Sequence, residues 1–293
     1  MIYLPQPWDE ELLSSTLARG GRYFGKSIRQ ISWAHFGDFS PCHPMFPKYV
    51  PLFAAHWAEP WTTEYLIAHN TFYPLLAPFA EEALRERLLG RMLGESRRIS
   101  GRILHGMQLK THRFCPACWR LQEAVRGRDL GWLRAWQIPQ SRICLRHWTP
   151  LMELDELFRD EKGVIRNLNA RDVDVSRATP MNVTKRDWLL SVTAGELLHR
   201  PLMNLPSEAQ WTLFWDRLLK GATNRELARR GRRYWGGQWL ASNGVADTDR
   251  LLIKGARRRI WWRNLLLLKA AMPEASLLEA IDEAASLDVG DKA

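Results

Sequence analysis

Cys115 and Cys118 are separated by two residues in FCPACWR, and 25 residues later Cys144 and His147 are separated by two residues in ICLRHW. Two short-spaced pairs of thiolate and imidazole donors suit a tetrahedral ion of the zinc type, because one tight turn can present each pair and two turns close the shell. Four protein donors leave no position for water. The chemistry this spacing supports is therefore structural: one Zn2+ that staples two chain segments and does not activate a nucleophile. His112, three residues before Cys115, is an alternative donor. Cys42 has no partner at ligand spacing and reads as an ordinary buried thiol.

The closed donor set does not nominate an enzyme. No GxSxG or HExxH motif occurs, and the acidic residues form no recognisable nuclease set. Three cysteines plus one make a poor disulfide framework, which points to a reducing compartment and a cytoplasmic protein. The N-terminus, with acidic residues from position 9, is unlike a signal peptide, and the longest apolar run is too short to span a bilayer.

The charge is concentrated in one place. The chain carries a net +10, but residues 217–269 hold 14 Lys and Arg against three acids, and the remainder is close to balance. Arg225, Arg229, Arg230, Arg232 and Arg233, then Lys254, Arg257, Arg258, Arg259 and Arg263, are the candidate DNA contacts. Arginine predominates, and its planar fork suits bidentate phosphate contact; the alternative is a solvated helical face. In the near-neutral N-terminal part, Trp8, Trp57 and Trp61 are candidate anchors for a protein partner.

The elements that must position these residues read as short helices joined by turns. Leu12, Leu13 and Leu17 recur at helical spacing behind Asp9, an N-cap candidate, and Gly20-Gly21 supplies a stop. Helices are also expected in 26–36, 62–70, 79–93 and 185–200, with proline-rich 40–51 as a break and 154–175 as an irregular polar connection. Ser207 and Gln210 form a capping box for a helix that Gly221 closes, Asn224 caps the arginine-rich helix, and further helices fall in 237–244, 247–272 and 274–287. The expected fold class is mainly α, in three parts. A helix-turn-helix-like N-terminal helical unit spans 1–110, a small zinc-finger module spans 111–150, and a basic C-terminal helical region with helix-turn-helix-like elements spans 151–293.

With the finger and the segments LPQPWDEELLSSTLARGG, HNTFYPLLAPFAEEA and RLLIKGARRRIWWRNLLLLKAAMP in hand, the chain resembles the TniQ/TnsD family of transposon target-site selection proteins over nearly all its length. The resemblance implies that Cys115, Cys118, Cys144 and His147 are zinc ligands and that the protein is a non-enzymatic adaptor. Such an adaptor binds target DNA or a CRISPR guide-RNA effector complex and recruits a AAA+ ATPase that regulates the transposase. Membranes are not involved, and a homodimer is among the assembly states left open. Some family members carry a second finger, whereas no cysteine follows Cys144. A zinc-stapled helix-turn-helix transcriptional regulator is the alternative function.

Overall fold

The structure is a computed structural model that describes residues 3–95, 111–126, 129–157, 168–245 and 261–289. Two compact units divide the chain: residues 1–74 with 86–200, and residues 75–85 with 201–293.

The first unit opens on α1 (Leu13–Tyr23), in which Leu13 through Gly21 are all buried. Two sequence expectations fail here. Asp9 does not cap α1; the cap position falls to Leu12, whose side chain has no acceptor to offer and whose N–H is bonded to the Trp132 carbonyl at 3.0 Å. Gly20-Gly21 do not end the helix either. They lie inside it because the chain returns against them: a Cβ on Gly21 would stand 2.5 Å from the Lys26 carbonyl oxygen. Next come α2 (Ile28–Phe36), closed at both ends by the Ser27/Gln30 capping box and left-handed Gly37, then α3 (Val50–Ala54) and α4 (Thr63–Asn70). Helices α5 (Tyr73–Leu76) and α6 (Glu82–Leu93) run across residues at which the units divide.

The rest of this unit is less helical than its sequence suggests. Strand β1 (Thr111–Phe114) leads into α7 (Pro116–Arg126), β2 (Ile143–Cys144) and β3 (Thr149–Pro150) form a hairpin, and β4 (Met152–Leu157) lies antiparallel between β1 and β5 (Thr179–Pro180). Part of the expected irregular connection is thus the central strand of a small sheet. Helix α8 (Lys185–His199), with a Thr184/Asp187 capping box, completes the unit.

One ion pair ties the N-terminal segment to the middle of the chain, and a second, buried beside it, braces the N-terminal segment itself. Arg134, fully buried, grips both Glu10 carboxylate oxygens (2.6 and 2.9 Å) and donates to the carbonyls of Ala68, Thr71 and Leu198. Burial would raise the Glu10 carboxyl, but the His69 imidazole 3.6 Å away and the Arg134 charge hold it below its ordinary value. Next to it, Glu11 takes Arg19 at 2.9 and 2.6 Å and the Ser15 hydroxyl at 2.6 Å. Removing one partner from such a pair costs about 3–5 kcal/mol, because the other charge is left buried alone. The helical N-terminal segment and the β1–α8 segment therefore order one another.

In the second unit, α9 (Glu208–Leu219) and α10 (Asn224–Trp235) are joined by a four-residue turn with Gly221 at φ +81, and α11 (Gly237–Ser242), α12 (Trp261–Ala271) and α13 (Leu277–Ser286) follow. The Ser207/Gln210 capping box forms as expected, but Thr223, one residue before Asn224, caps α10. Helix α10 packs chiefly on α12, where the Trp235 indole donates to the Leu266 carbonyl at 3.3 Å, and α9 packs on α13. Among the described residues no helix is long and apolar enough to cross a membrane.

Candidate functional site

Cys115 directly follows β1, and Pro116 starts α7, a position where its missing N–H costs nothing. Cys118 therefore lies in the first turn of α7. Cys144 ends β2, and the loop back to β3 presents His147. Arg113 on β1 braces that approach: its Nη1 donates to the carbonyls of Ile138, Pro139 and Ser141, just ahead of β2. Behind the donors, Trp119 stacks on Phe114 with centroids 4.0 Å apart and meets Trp132 at 5.1 Å, so the turns are backed by a rigid aromatic core.

The structure brings the four expected side chains into one group. His147 Nδ1 lies 3.5 Å from Cys115 Sγ, 3.3 Å from Cys118 Sγ and 3.7 Å from Cys144 Sγ, and the Cys118 and Cys144 sulfurs are 3.6 Å apart. All four donor atoms fall within 4.8 Å of one another, and the three cysteines are buried and free of disulfides. A tetrahedral ion at zinc's bond lengths sets sulfur to nitrogen edges of about 3.6 Å and sulfur to sulfur edges of about 3.8 Å. The donor set therefore fits, and these four side chains can hold a metal ion.

The electrostatics favour the same conclusion. Hydrogen bonds from the Cys118 and Cys144 side chains, and from the Cys118 backbone, hold the Cys115 thiol down. Cys118 and Cys144 are pushed up, first by Cys115 and also by burial. Three crowded sulfurs ionise together only around a cation.

The other expectations about donors resolve simply. His112 does not join the group. It is buried against the Trp132 ring, centroids 4.8 Å apart, and burial pushes it down to about 3, so it remains a neutral core histidine. Cys42 faces the Ile28 carbonyl, and burial pushes its thiol up to about 11. A second group, Asp9, Glu10 and His69, meets the same distance limit, but Glu10 is already committed to Arg134. The string GGRYFGKS at 20–27 has the letter spacing of a phosphate-binding loop, yet its first residues are the last turn of α1, no described strand precedes them, and Ser27 caps α2.

The candidate DNA contacts divide into three groups. Helix α10 buries Leu227, Ala228, Gly231 and Trp235, and so turns its arginines outward. Arg225, Arg229 and Arg233 recur every four residues on the exposed side, and none makes an ion pair or hydrogen bond among the described residues. Arg230 is paired with Glu226, and Arg232 is exposed. Arg263 is half-buried over the Trp262 ring at 5.3 Å. Lys254, Arg257, Arg258 and Arg259 lie outside the described residues.

The tryptophans expected to anchor a partner are largely packed. Trp61 is buried, and Trp8 and Trp57 are half-buried, the Trp57 indole donating to the Leu4 carbonyl at 3.2 Å. The exposed indoles of the first unit are Trp33 and Trp148.

Comparison with known proteins agrees with this arrangement. Over 320 aligned residues the chain is 24% identical to the Transposon Tn7 transposition protein TnsD of Escherichia coli, an alignment covering 98% of this chain and 61% of that protein's length. The TniQ family profile matches residues 2–151, which include all four clustered donors. The chain belongs to the TniQ family.

Proposed function

We propose that the chain is a non-enzymatic target-selection adaptor in DNA transposition that engages target DNA and recruits a AAA+ regulator of the transposase. The observation that carries this reading is the family match, whose span contains the buried Cys3His cluster. The likeness to TnsD, named for Tn7 transposition, agrees with it. In this reading Cys115, Cys118, Cys144 and His147 hold one Zn2+. When bound, it supplies a crosslink between the β1–α7 turn and the β2–β3 loop, with no open position for a reacting water.

Each remaining part has a task its chemistry suits. Arg225, Arg229 and Arg233 span two turns of α10, about 12 Å at 1.5 Å per residue, which is enough to reach successive phosphates. Residues 1–110, with 12 Lys and Arg against 10 acids, supply the surface for the ATPase. A guide-RNA effector complex in place of bare DNA, and a homodimeric assembly, are compatible with the same parts. The reduced thiols fit a protein working in the cytoplasm.

A zinc-stapled helix-turn-helix transcriptional regulator is the second reading, favoured by the short Gly221 turn between α9 and the arginine-bearing α10. A cell-based transposition assay separates the two. Omitting the chain is expected to abolish insertion at the chosen target while leaving transcription of the element's promoters unchanged. Targeted insertion that persists without the chain, accompanied by altered promoter activity, would favour the regulator.

A further inference from the structure

Trp148 ends the loop that carries His147, and two features set it apart. Its backbone is left-handed at φ +53, a conformation that glycine or asparagine adopts cheaply and a bulky aromatic does not. Its side chain is 56% exposed, yet the ring lies parallel to that of Trp188 on α8, with 2° between the planes and 5.5 Å between centroids. Folding alone does not call for an indole at this position. Most of its surface stays in water, and a smaller residue would suit the backbone better.

The exposed charges closest to the pair in sequence are basic. Arg146 lies two residues before Trp148, and Lys185 lies about one helical turn before Trp188. Both are exposed, and neither makes an ion pair or hydrogen bond among the described residues. The acid beside Trp188 in sequence, Asp187, is buried, caps α8 at Thr184 and is balanced by Arg142 Nε at 3.2 Å. Glu196 lies about two turns further along α8. An open aromatic plane flanked by unbalanced cations is the chemistry that receives a base and its phosphates. A protein-docking patch would instead show a wider apolar centre depleted of charge.

We propose that the Trp148 and Trp188 pair is a stacking platform for an unpaired base of a nucleic-acid strand, with Arg146 and Lys185 holding the phosphates on either side. The site shares no residue with the α10 arginine row. The row offers charge without an aromatic plane, so it favours duplex backbone and a steep salt dependence. The indole pair favours single strands and retains part of its affinity at higher salt.

The test measures anisotropy of a labelled oligothymidylate of about 12 nucleotides, and of a duplex of the same length, titrated with the full chain. Trp148→Ala is expected to weaken binding of the single strand about tenfold and to leave duplex binding unchanged. Trp148→Phe keeps most of the affinity, because a smaller aromatic plane remains. Trp148→Gly loses single-strand affinity as Trp148→Ala does, yet melts no lower than the native chain, because glycine relieves the left-handed backbone. Should the alanine variant fail to fold, Trp148→Phe and Lys185→Glu carry the test, the latter weakening binding and flattening its salt dependence. The proposal is overturned if the native chain has no affinity for oligothymidylate. It is also overturned if Trp148→Ala binds it as the native chain does, or if Trp148→Phe is as weak as the alanine variant. Loss of ATPase binding in Trp148→Ala with oligothymidylate binding unchanged would assign the surface to a protein and overturn it as well.

Discussion

Replacing Cys118 with serine, or stripping metal with a chelator, is expected to lower the stability of the first unit by at least about 4 kcal/mol and to release one zinc per chain. Closed zinc sites in small fingers contribute on the order of 10 kcal/mol of folding free energy. Here the indoles of Trp119, Trp132 and Trp136 retain part of the surrounding core, so the loss falls below that figure. The cost arises because the three sulfurs and His147 Nδ1 sit at the separations a tetrahedral ion enforces, and without the ion the crosslink between the two turns is lost and the sulfurs cannot all ionise. Thermal melting with metal analysis on the same samples checks this. Protein purified without zinc, or a Cys118→Ser variant melting with the native chain, would contradict it.

Reversing Arg225, Arg229 and Arg233 to glutamate is expected to lower affinity for duplex DNA on the order of a thousandfold at about 50 mM salt. Each phosphate contact releases condensed counterions, so the logarithmic salt slope should become shallower by about 0.9 per contact, or about 2.7 for three. Stability should hold, because all three side chains are exposed and the packed face of α10 is untouched. Arg230→Glu alone should do less, since Arg230 is already paired with Glu226. Titrations at several salt concentrations decide the matter. An unchanged slope in the triple variant would show the row to be a solvated face.

The Cys3His cluster was legible in the sequence because ligand spacing reports local turn geometry, and two tight turns are local events. The helix behind the Ser207/Gln210 box was legible for the same reason, since that box is complete within four residues. What could not be read depends on distant partners. Asp9 has the character of a cap, but the chain there is held by Trp132 and Arg134, more than a hundred residues away. Gly20-Gly21 resembles a helix stop, although the pair serves as a close-packing surface for the chain returning at Lys26. The strand at 152–157 was hidden because its acidic residues give it the composition of a loop, and its pairing with β1 and β5 spans residues far apart in sequence. Trp148 also escaped notice. Its significance lies in a left-handed backbone and a ring stacked on Trp188, forty residues on, and neither leaves a mark on the string ICLRHW.

The central claim is that this chain connects target DNA to the transposition machinery, and the most direct test is whether it loads the element's AAA+ ATPase onto DNA. Immobilised duplex DNA would be incubated with the ATPase at a salt concentration where the ATPase alone washes off, with and without the full chain. The account predicts that the ATPase is retained only when the chain is present, and that retention is lost with the Arg225→Glu, Arg229→Glu and Arg233→Glu triple variant. A chain that binds the DNA while the ATPase still washes off would contradict it.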